Sequence, residues 1–219
     1  MKRNLGHVDA LYPSLTTIVG CVVDGKPNFS AIAHVGNMNH GEPQYLSFGI
    51  NKKHYSNAGI LEHREFSVCI PSEDLLAETD FTGLVSGRNF DKSSLFELFW
   101  GELKHAPMIQ NCPVCMECRL HSVVDFPSHE VFIGEIVATH ADEAVLRDDG
   151  KIDLAEVKPL LFDMLFKNKF YAVFYTLPLA VDNPDGKITL SKCINPGLGV
   201  VIPGSRLSIQ LAEHCKSHQ

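Results

Sequence analysis

Runs of β-branched and aromatic residues, broken at short intervals by polar turns, form the main pattern along this chain. The clearest run is LTTIVGCVV at 15–23, which predicts a strand. Asp24-Gly25 follows it. This dipeptide is typical of a two-residue hairpin turn, so 26–36 is predicted to be the returning strand. Further strands are predicted at 44–50, 66–71, 114–124, 130–140 and 170–175.

Helical segments are predicted between these strands at 57–65, 94–100 and 153–167. Ser56 stands where a side chain can cap the first helix. Ser94 and Glu97 have the spacing of a capping box, which predicts the start of the second helix. The third segment has helical periodicity but contains Pro159, so it is predicted to form two pieces.

The order of these elements predicts a mainly β fold. The alternation of parallel strands with crossover helices is absent, which argues against a doubly wound sheet. A β-barrel of antiparallel strands with short helical insertions accounts for the pattern better. With 219 residues, the chain is long enough for one such domain with a well-buried core.

Charge and cysteine content argue against some classes of protein. The formal net charge of −7 argues against nonspecific binding to nucleic acid. No apolar run has the length of a signal peptide or a membrane span, so we expect a cytoplasmic protein without membrane attachment. The seven cysteines are then expected to be thiols rather than a disulfide framework.

The common nucleotide-binding and hydrolase motifs are absent. The closest approach to G-x-G-x-x-G is GLGVVIPG, in which Ile202 stands at the position of the last glycine. Walker, H-E-x-x-H and G-x-S-x-G motifs are also missing. Any cofactor must therefore be held by other means.

One predicted strand carries an unusual number of polar side chains. Because side chains alternate along a strand, Asn28, Ser30, Ile32 and His34 share one face of the segment at 26–36. If that face is buried, its three polar side chains need hydrogen-bonding partners. A ligand with a polar edge could provide them. The alternative is that the face meets solvent, which is common in antiparallel sheets.

Two basic segments lie next to predicted helices. NKKHYS at 51–56 ends at a helix N-terminus, where free N–H groups and the helix dipole favour an anion. VSGRNFDKSS at 85–94 carries Arg88 and Lys92. Each segment alone also fits a surface role, with Ser56 as a simple helix cap and the lysines in solvent. Together with the polar strand, they favour a phosphate-bearing ligand.

Several of these segments resemble the flavin reductase and flavoredoxin family. They are the Asn28 to Ala33 strand with its N-x-x-x-x-A pattern, FSVCIP at 66–71, DFTGLVSGRNFDKS at 80–93, APMIQNCPVCMEC at 106–118 and HEVFIGEIV at 129–137. The resemblance covers most of residues 10–175, and it implies an antiparallel FMN-binding split barrel. The prediction divides the chain into a barrel domain at 1–178 and an extension at 179–219 that packs on the barrel or on a dimer partner.

The resemblance also implies noncovalently bound FMN, usually in a homodimer. The strand at 28–34 would face the isoalloxazine ring, residues 48–56 would hold the ribityl chain and phosphate, and Lys92 would place a positive charge beside the cofactor. The residues expected to bind the cofactor are Asn28, Ser30, Ala31, Ile32, Ala33, His34, Phe48, Gly49, Asn51, Lys53, Tyr55, Ser56 and Lys92. The family often has threonine at positions 31 and 56, where this chain has Ala31 and Ser56.

The function implied is an FMN-dependent oxidoreductase that transfers electrons or hydride. NAD(P)H or a redox protein would be the electron donor. No catalytic residue is assigned, because hydride transfer to a flavin requires no protein acid or base. The alternatives are a flavin-binding protein without turnover and a metal-binding protein.

The metal alternative depends on Cys112, Cys115 and Cys118, which follow one another at three-residue spacing. In a loop, such spacing would suggest a metal or iron–sulfur site. In a strand, Cys115 and Cys118 would point to opposite faces, and no fourth ligand lies nearby in the sequence. The prediction is therefore that no metal is bound and that these cysteines are buried as small apolar residues.

Overall fold

The computed structural model describes residues 1–163, 170–173 and 201–203. The strands in this part of the chain are β1 (Ser14–Leu15), β2 (Thr17–Val23), β3 (Lys26–Ile32), β4 (Val35–Asn37), β5 (Tyr45–Asn51), β6 (Glu65–Ile70), β7 (Leu98–Phe99), β8 (Met108–Ile109), β9 (Val114–Asp125), β10 (His129–Ala141), β11 (Leu160–Asp163), β12 (Phe170–Val173) and β13 (Val201–Pro203). The α-helices are α1 (Ser56–His63), α2 (Leu76–Leu84) and α3 (Leu154–Val157).

A seven-stranded antiparallel sheet forms the centre of the fold, in the order β3-β2-β6-β9-β10-β5-β4. The sheet curls into a half-barrel. Register shifts between Ile133 and Gly134, and between Ile136 and Ala138, mark bulges on β10, and bulges increase local twist. The predicted mainly β, antiparallel barrel with short helices is confirmed.

The first hairpin has the predicted turn. Val23 pairs with Lys26, so Asp24 and Gly25 are the two loop residues. Both have positive φ, 50° and 75°, as a type I′ turn requires. This turn fixes the register of β3 on β2, and β3 carries the polar side chains singled out in the sequence.

The sheet buries apolar side chains on both faces. Inside the half-barrel, Phe48 stacks on Phe132 with ring centroids 5.4 Å apart and meets the edge of Phe66 at 5.2 Å. On the outer face, Phe29, Cys69 and neighbouring apolar residues form a second core cluster. A short β7–β8 ribbon supplies Phe99 and Met108 to this outer cluster.

Two of the predicted helices differ from the structure. The segment at 94–100 is not helical. Asp91 caps a 3₁₀ turn at Lys92–Leu95 by accepting a hydrogen bond from the Ser93 N–H, and Leu98–Phe99 then joins β7. The segment at 153–167 begins with one helical turn, α3, which ends before Pro159, and continues as β11. None of the helices in the described residues is long and apolar enough to cross a membrane.

A second sheet, in the order β1-β11-β12-β13, contains the described end of the chain. Tyr171 on β12 pairs with Ile202 on β13. Apart from Val201–Pro203, the predicted extension at 179–219 lies outside the described residues. The domain boundary near residue 178 therefore stays a prediction.

A buried carboxylate fastens the segment at 98–110 over the outer core. Glu117 on β9 is fully buried. Its Oε2 accepts a hydrogen bond from the Leu103 N–H at 2.7 Å, and its Oε1 lies 2.7 Å from His140 Nε2. Burial alone would raise the pKa of this carboxyl, but the hydrogen bonds from Leu103 and His140 hold it below its ordinary 4.5.

We expect Glu117→Gln to lower the free energy of unfolding by about 1.5 kcal/mol at neutral pH, since a charge-assisted hydrogen bond becomes a neutral one. A carboxyl whose pKa is depressed in the folded state stabilises the fold above its unfolded pKa, and this contribution is lost as the pH falls through the folded value. The difference between wild type and variant should therefore shrink below about pH 4.5. Urea unfolding at several pH values measures it.

The exposed Glu62→Gln variant is the matched control and should change the free energy of unfolding by less than about 0.5 kcal/mol. An equal loss in the two variants would show that Glu117 does not fasten this segment.

Candidate functional site

A cleft opens beside β3. It consists of two adjoining cavities, of about 210 and 390 Å³, that share Asn51, His54, Gly83 and Leu84. Its walls come from β3 and the residues just after it, the end of β5, the loop that leads into α1, the end of α2, and the segment that follows α2. The cleft therefore lies where the three polar segments of the sequence meet.

The polar face of β3 is buried and has partners within the protein. Asn28 and Ser30 are each 4% exposed. Asn28 Nδ2 donates to Ser56 Oγ at 2.8 Å, and the Ser30 and Ser56 hydroxyls lie 2.8 Å apart. The alternative in which this face meets solvent is therefore wrong for Asn28 and Ser30, although His34, beyond the end of β3, is exposed.

Ser56 does not cap α1 as the sequence suggested. Tyr55 occupies the N-cap position and makes no side-chain capping bond, and Ser56 is the first helical residue. Its hydroxyl points into the contact between α1 and β3 instead, where it is fully buried. Ser56 therefore joins helix and strand behind the cleft wall.

Lys92 is the most unusual side chain at the cleft. It is only 3% exposed. Its ammonium donates to the carbonyl oxygens of Phe29, at 2.9 Å, and Thr82, at 2.7 Å. Burial lowers its pKa from 10.5 to about 8. Lys92 thus ties β3 to the end of α2 and remains mostly charged at neutral pH.

The charge of Lys92 is not neutralised by the described residues. None of their carboxylates lies within 4.0 Å of its Nζ. An ammonium has three N–H donors, and the described residues accept only two of them. The remaining donor belongs to a buried cation on the wall of the larger cavity.

Eleven of the thirteen predicted site residues line the cleft: Asn28, Ser30, Ala31, Ile32, Ala33, His34, Gly49, Asn51, Lys53, Tyr55 and Lys92. The other two do not. Phe48 points away from it into the inner core, because the alternation of β5 turns its ring toward Phe66 and Phe132. Ser56 lies behind the wall. The roles of all thirteen as cofactor contacts stay predictions.

Sequence reasoning missed part of the cleft wall. Asp80, Gly83 and Leu84 belong to α2, a helix that was not predicted, and His129 comes from the distant β10. The motif at 80–93 contains the α2 residues, but its sequence alone gives no sign that they line a cleft. His129 offered no local signal, because strand pairing alone brings it opposite Asn51.

Three histidines stand around the smaller cavity, namely His34, His54 and His129. The hydroxyl of Tyr12 lies 3.3 Å from His34 Nε2. Desolvation at the cavity wall lowers the pKa of His54, and the positive charge of Lys92 lowers it further. His54 can therefore offer a neutral imidazole as a hydrogen-bonding group at this end of the cleft near neutral pH.

The predicted division of the cysteine cluster is confirmed. Cys118 packs in the inner core, whereas Cys112 and Cys115 pack in the outer core with Cys69. The described part of the chain contains no group of three or more His, Cys, Asp or Glu side chains arranged to hold a metal ion.

A model of the flavin reductase like domain matches residues 9–170. The chain belongs to this family. The match includes every residue that lines the cleft and all of the seven-stranded sheet. The resemblance noted in the sequence is therefore confirmed at the level of the family.

Solved structures agree with the family assignment. A flavoredoxin from Methanosarcina acetivorans is 37% identical, with a TM-score of 0.76 over 84% of this chain and 98% of its own. Flavoredoxin of Desulfovibrio vulgaris (Miyazaki F) is 31% identical, with a TM-score of 0.73 over 83% of this chain and 98% of its own. An FMN-binding protein from Thermus thermophilus, 23% identical with a TM-score of 0.63, covers 80% of this chain and 90% of its own and shares the fold.

Proposed function

We propose that this flavin reductase-like protein binds FMN in the cleft and transfers electrons or hydride through it, as a flavoprotein of the flavoredoxin type. Bound FMN would supply the redox chemistry, and the chain would supply position and electrostatics. The two flavoredoxins with more than 30% identity along nearly their whole length support this proposal.

The observation that carries the proposal is the third N–H donor of the buried Lys92, for which the described residues provide no acceptor. A buried cation without a counter-ion is costly unless a ligand completes its surroundings. A flavin has carbonyl oxygens and ring nitrogens along one edge and becomes more electron-rich on reduction. Lys92 would therefore donate to this ring and hold it against β3.

Other cleft residues fit the remaining parts of FMN. The main chain from Ala31 to His34 lines the smaller cavity and can meet the polar edge of the ring. Lys53 lies in the loop before α1, where its charge and the helix N-terminus would favour a phosphate, and His54 beside it would offer a hydrogen-bonding imidazole. Asn28, Ser30 and Ser56 hold the strand and the helix that carry these groups in fixed positions.

Within this function, we favour an electron carrier with slow direct oxidation of NAD(P)H over a fast NAD(P)H-dependent reductase. The chain has no dinucleotide-binding fingerprint, so a nicotinamide would stack on the flavin with little dedicated support. The net charge of −7 also disfavours the approach of an anionic dinucleotide at long range. A small redox protein is the proposed partner.

Anaerobic stopped-flow reduction of the FMN-loaded protein tests this choice. We expect slow bleaching by NADH and by NADPH, and fast reduction by a small redox protein. Bleaching by either nucleotide within milliseconds would make the protein a reductase and overturn the carrier function, while leaving FMN binding intact.

We also propose that the protein is a cytoplasmic homodimer. β3 and β4 are the two edges of the seven-stranded sheet, and edge strands commonly require cover. A second copy of the chain can supply that cover through a symmetric contact. Light scattering at micromolar concentration should give twice the chain mass of 24.2 kDa.

A further inference from the structure

Three thiols form a cluster outside the proposed flavin site. Cys69 on β6, Cys115 on β9 and Cys112 in the turn before β9 pack together in the outer core. Cys69 is 0% exposed, Cys115 1% and Cys112 4%. A lone buried cysteine is an ordinary apolar residue, but three adjacent thiols can react with one another.

Strand register brings two of these thiols face to face. Cys69 and Cys115 are direct partners in the antiparallel β6–β9 pair. The Leu120 N–H donates to the Arg64 carbonyl one position before β6 begins, so Arg64 and Leu120 occupy a hydrogen-bonding position of this ladder, although the Arg64 N–H bonds to Ile60 instead. Hydrogen-bonded and non-hydrogen-bonded pairs alternate, and Cys69 lies an odd number of positions beyond Arg64. Cys69 and Cys115 are therefore a non-hydrogen-bonded pair.

A pair of this type is compatible with the geometry of a disulfide. The Cα atoms of a non-hydrogen-bonded pair lie about 4.5 Å apart. Disulfides span Cα separations of about 4.4–6.8 Å. Cys69 and Cys115 could therefore be joined without a large movement of the backbone.

The three sulfurs of the cluster have different surroundings. Burial alone would raise the pKa of Cys69, but the neighbouring Cys112 and Cys115 thiols lower it well below its ordinary 9.0. Burial raises the pKa of Cys112. The cluster thus favours the thiolate, which is the nucleophilic form, at Cys69 and keeps two protonated neighbours beside it.

We propose that the cluster is a redox-active site at which a peroxide converts Cys69 and Cys115 into a reversible cross-strand disulfide. The Cys69 sulfur attacks one peroxide oxygen. The O–O bond breaks, hydroxide leaves, and a sulfenic acid forms. The Cys115 sulfur then attacks the Cys69 sulfur, the S–O bond breaks, and water leaves. The sum is two thiols and hydrogen peroxide giving one disulfide and two water molecules.

Hydrogen peroxide would reach the cluster through the turn that holds Cys112. This turn lies at the surface end of the cluster, next to the segment at 98–110 that covers the outer core. Because all three thiols are nearly buried, the reaction requires local opening of this segment. A small amount of urea, below the unfolding transition, should therefore accelerate the reaction.

The test uses the full chain with Cys193→Ser and Cys215→Ser, which leaves five of the seven cysteines. The folded protein is treated with hydrogen peroxide, quenched in acid, alkylated in guanidinium and analysed by intact mass and peptide mapping. We expect the number of alkylated cysteines to fall from five to three, with a Cys69–Cys115 cross-linked peptide and full recovery of five after dithiothreitol.

Cys21 and Cys118 are internal controls, because both are buried thiols outside the cluster. Retention of five labels, a cross-link that involves a control cysteine, or oxidation that dithiothreitol does not reverse would overturn the proposal. In Cys115→Ala, peroxide should instead drive Cys69 to the irreversible sulfinic acid. A reversible loss of two labels in that variant would contradict the assigned pair.

Discussion

Lys92→Met is expected to weaken FMN binding by about ten- to a hundredfold, because a charge-assisted contact is worth about 1.5–3 kcal/mol. Methionine keeps the length of the side chain and removes its charge and donors. The carbonyls of Phe29 and Thr82 then lose their partner, so the free energy of unfolding should also fall, by about 1–3 kcal/mol. Calorimetric titration and urea unfolding measure the two effects.

Lys53→Met is the matched control. Lys53 also lines the cleft, but its side chain is exposed, so the loss of affinity should be about tenfold or less. Unchanged FMN affinity in a folded Lys92→Met protein would show that Lys92 is a structural tie between β3 and α2 and not a ligand contact.

The lowered pKa of Lys92 predicts a pH dependence of binding. FMN affinity should be constant between about pH 7, where the phosphate is fully charged, and about pH 8, the pKa of Lys92 in the free protein, and should fall above it as the ammonium loses its proton. Across the window from about 8 to 10.5 the unfolded chain binds more protons than the folded one, so this lysine makes the free protein more stable as the pH rises. In Lys92→Met, the fall of FMN affinity above about pH 8 and the rise of stability with pH should both disappear.

Gly59→Ala is expected to destabilise the protein by about 3 kcal/mol, although alanine is the better helix former. Gly59 faces β2 from the middle of α1. A methyl group there would overlap the carbonyl oxygen of Val22 and lie 2.7 Å from Val23 Cγ2. A backbone carbonyl cannot move aside as a flexible side chain can, so α1 must shift. Thermal or urea unfolding measures the loss.

Ala58→Gly is the control on the same helix. Ala58 is exposed, so this change should cost only about 0.5–1 kcal/mol from helix propensity. The shift of α1 in Gly59→Ala would also move Ser56 away from Asn28 and Ser30, so FMN affinity should fall with stability. A Gly59→Ala protein as stable as wild type would mean that α1 does not pack this closely on β2.

The sequence predicted elements well where local chemistry decides the structure. Asp24-Gly25 favours the positive φ angles of its turn type through local chemistry alone. The hairpin, and the set of side chains that share the polar face of β3, could therefore be predicted from the sequence. The segment at 94–100 shows where prediction from local sequence fails. The spacing of Ser94 and Glu97 suggested a helix, but pairing of Leu98–Phe99 with the later Met108–Ile109 determined a strand.

The residues of the site could be predicted from the sequence, but their burial and hydrogen-bonding partners could not. Polar residues on β3, the basic loop and Lys92 could be selected from the sequence, and the fold brings them together. The burial of Lys92 could not be foreseen, because it depends on carbonyls of Phe29 and Thr82 that lie far away in the chain. The inward position of the Ser56 hydroxyl likewise depends on how α1 packs against β3.

Calorimetric titration of the purified, cofactor-free protein with FMN tests whether the cleft is a flavin site. Riboflavin, which lacks the phosphate, is the matched ligand. We expect one FMN per chain, with weaker binding of riboflavin, because riboflavin has no phosphate for the basic loop at 51–56 to bind. A folded protein that binds neither ligand would show that the cleft is not a flavin site.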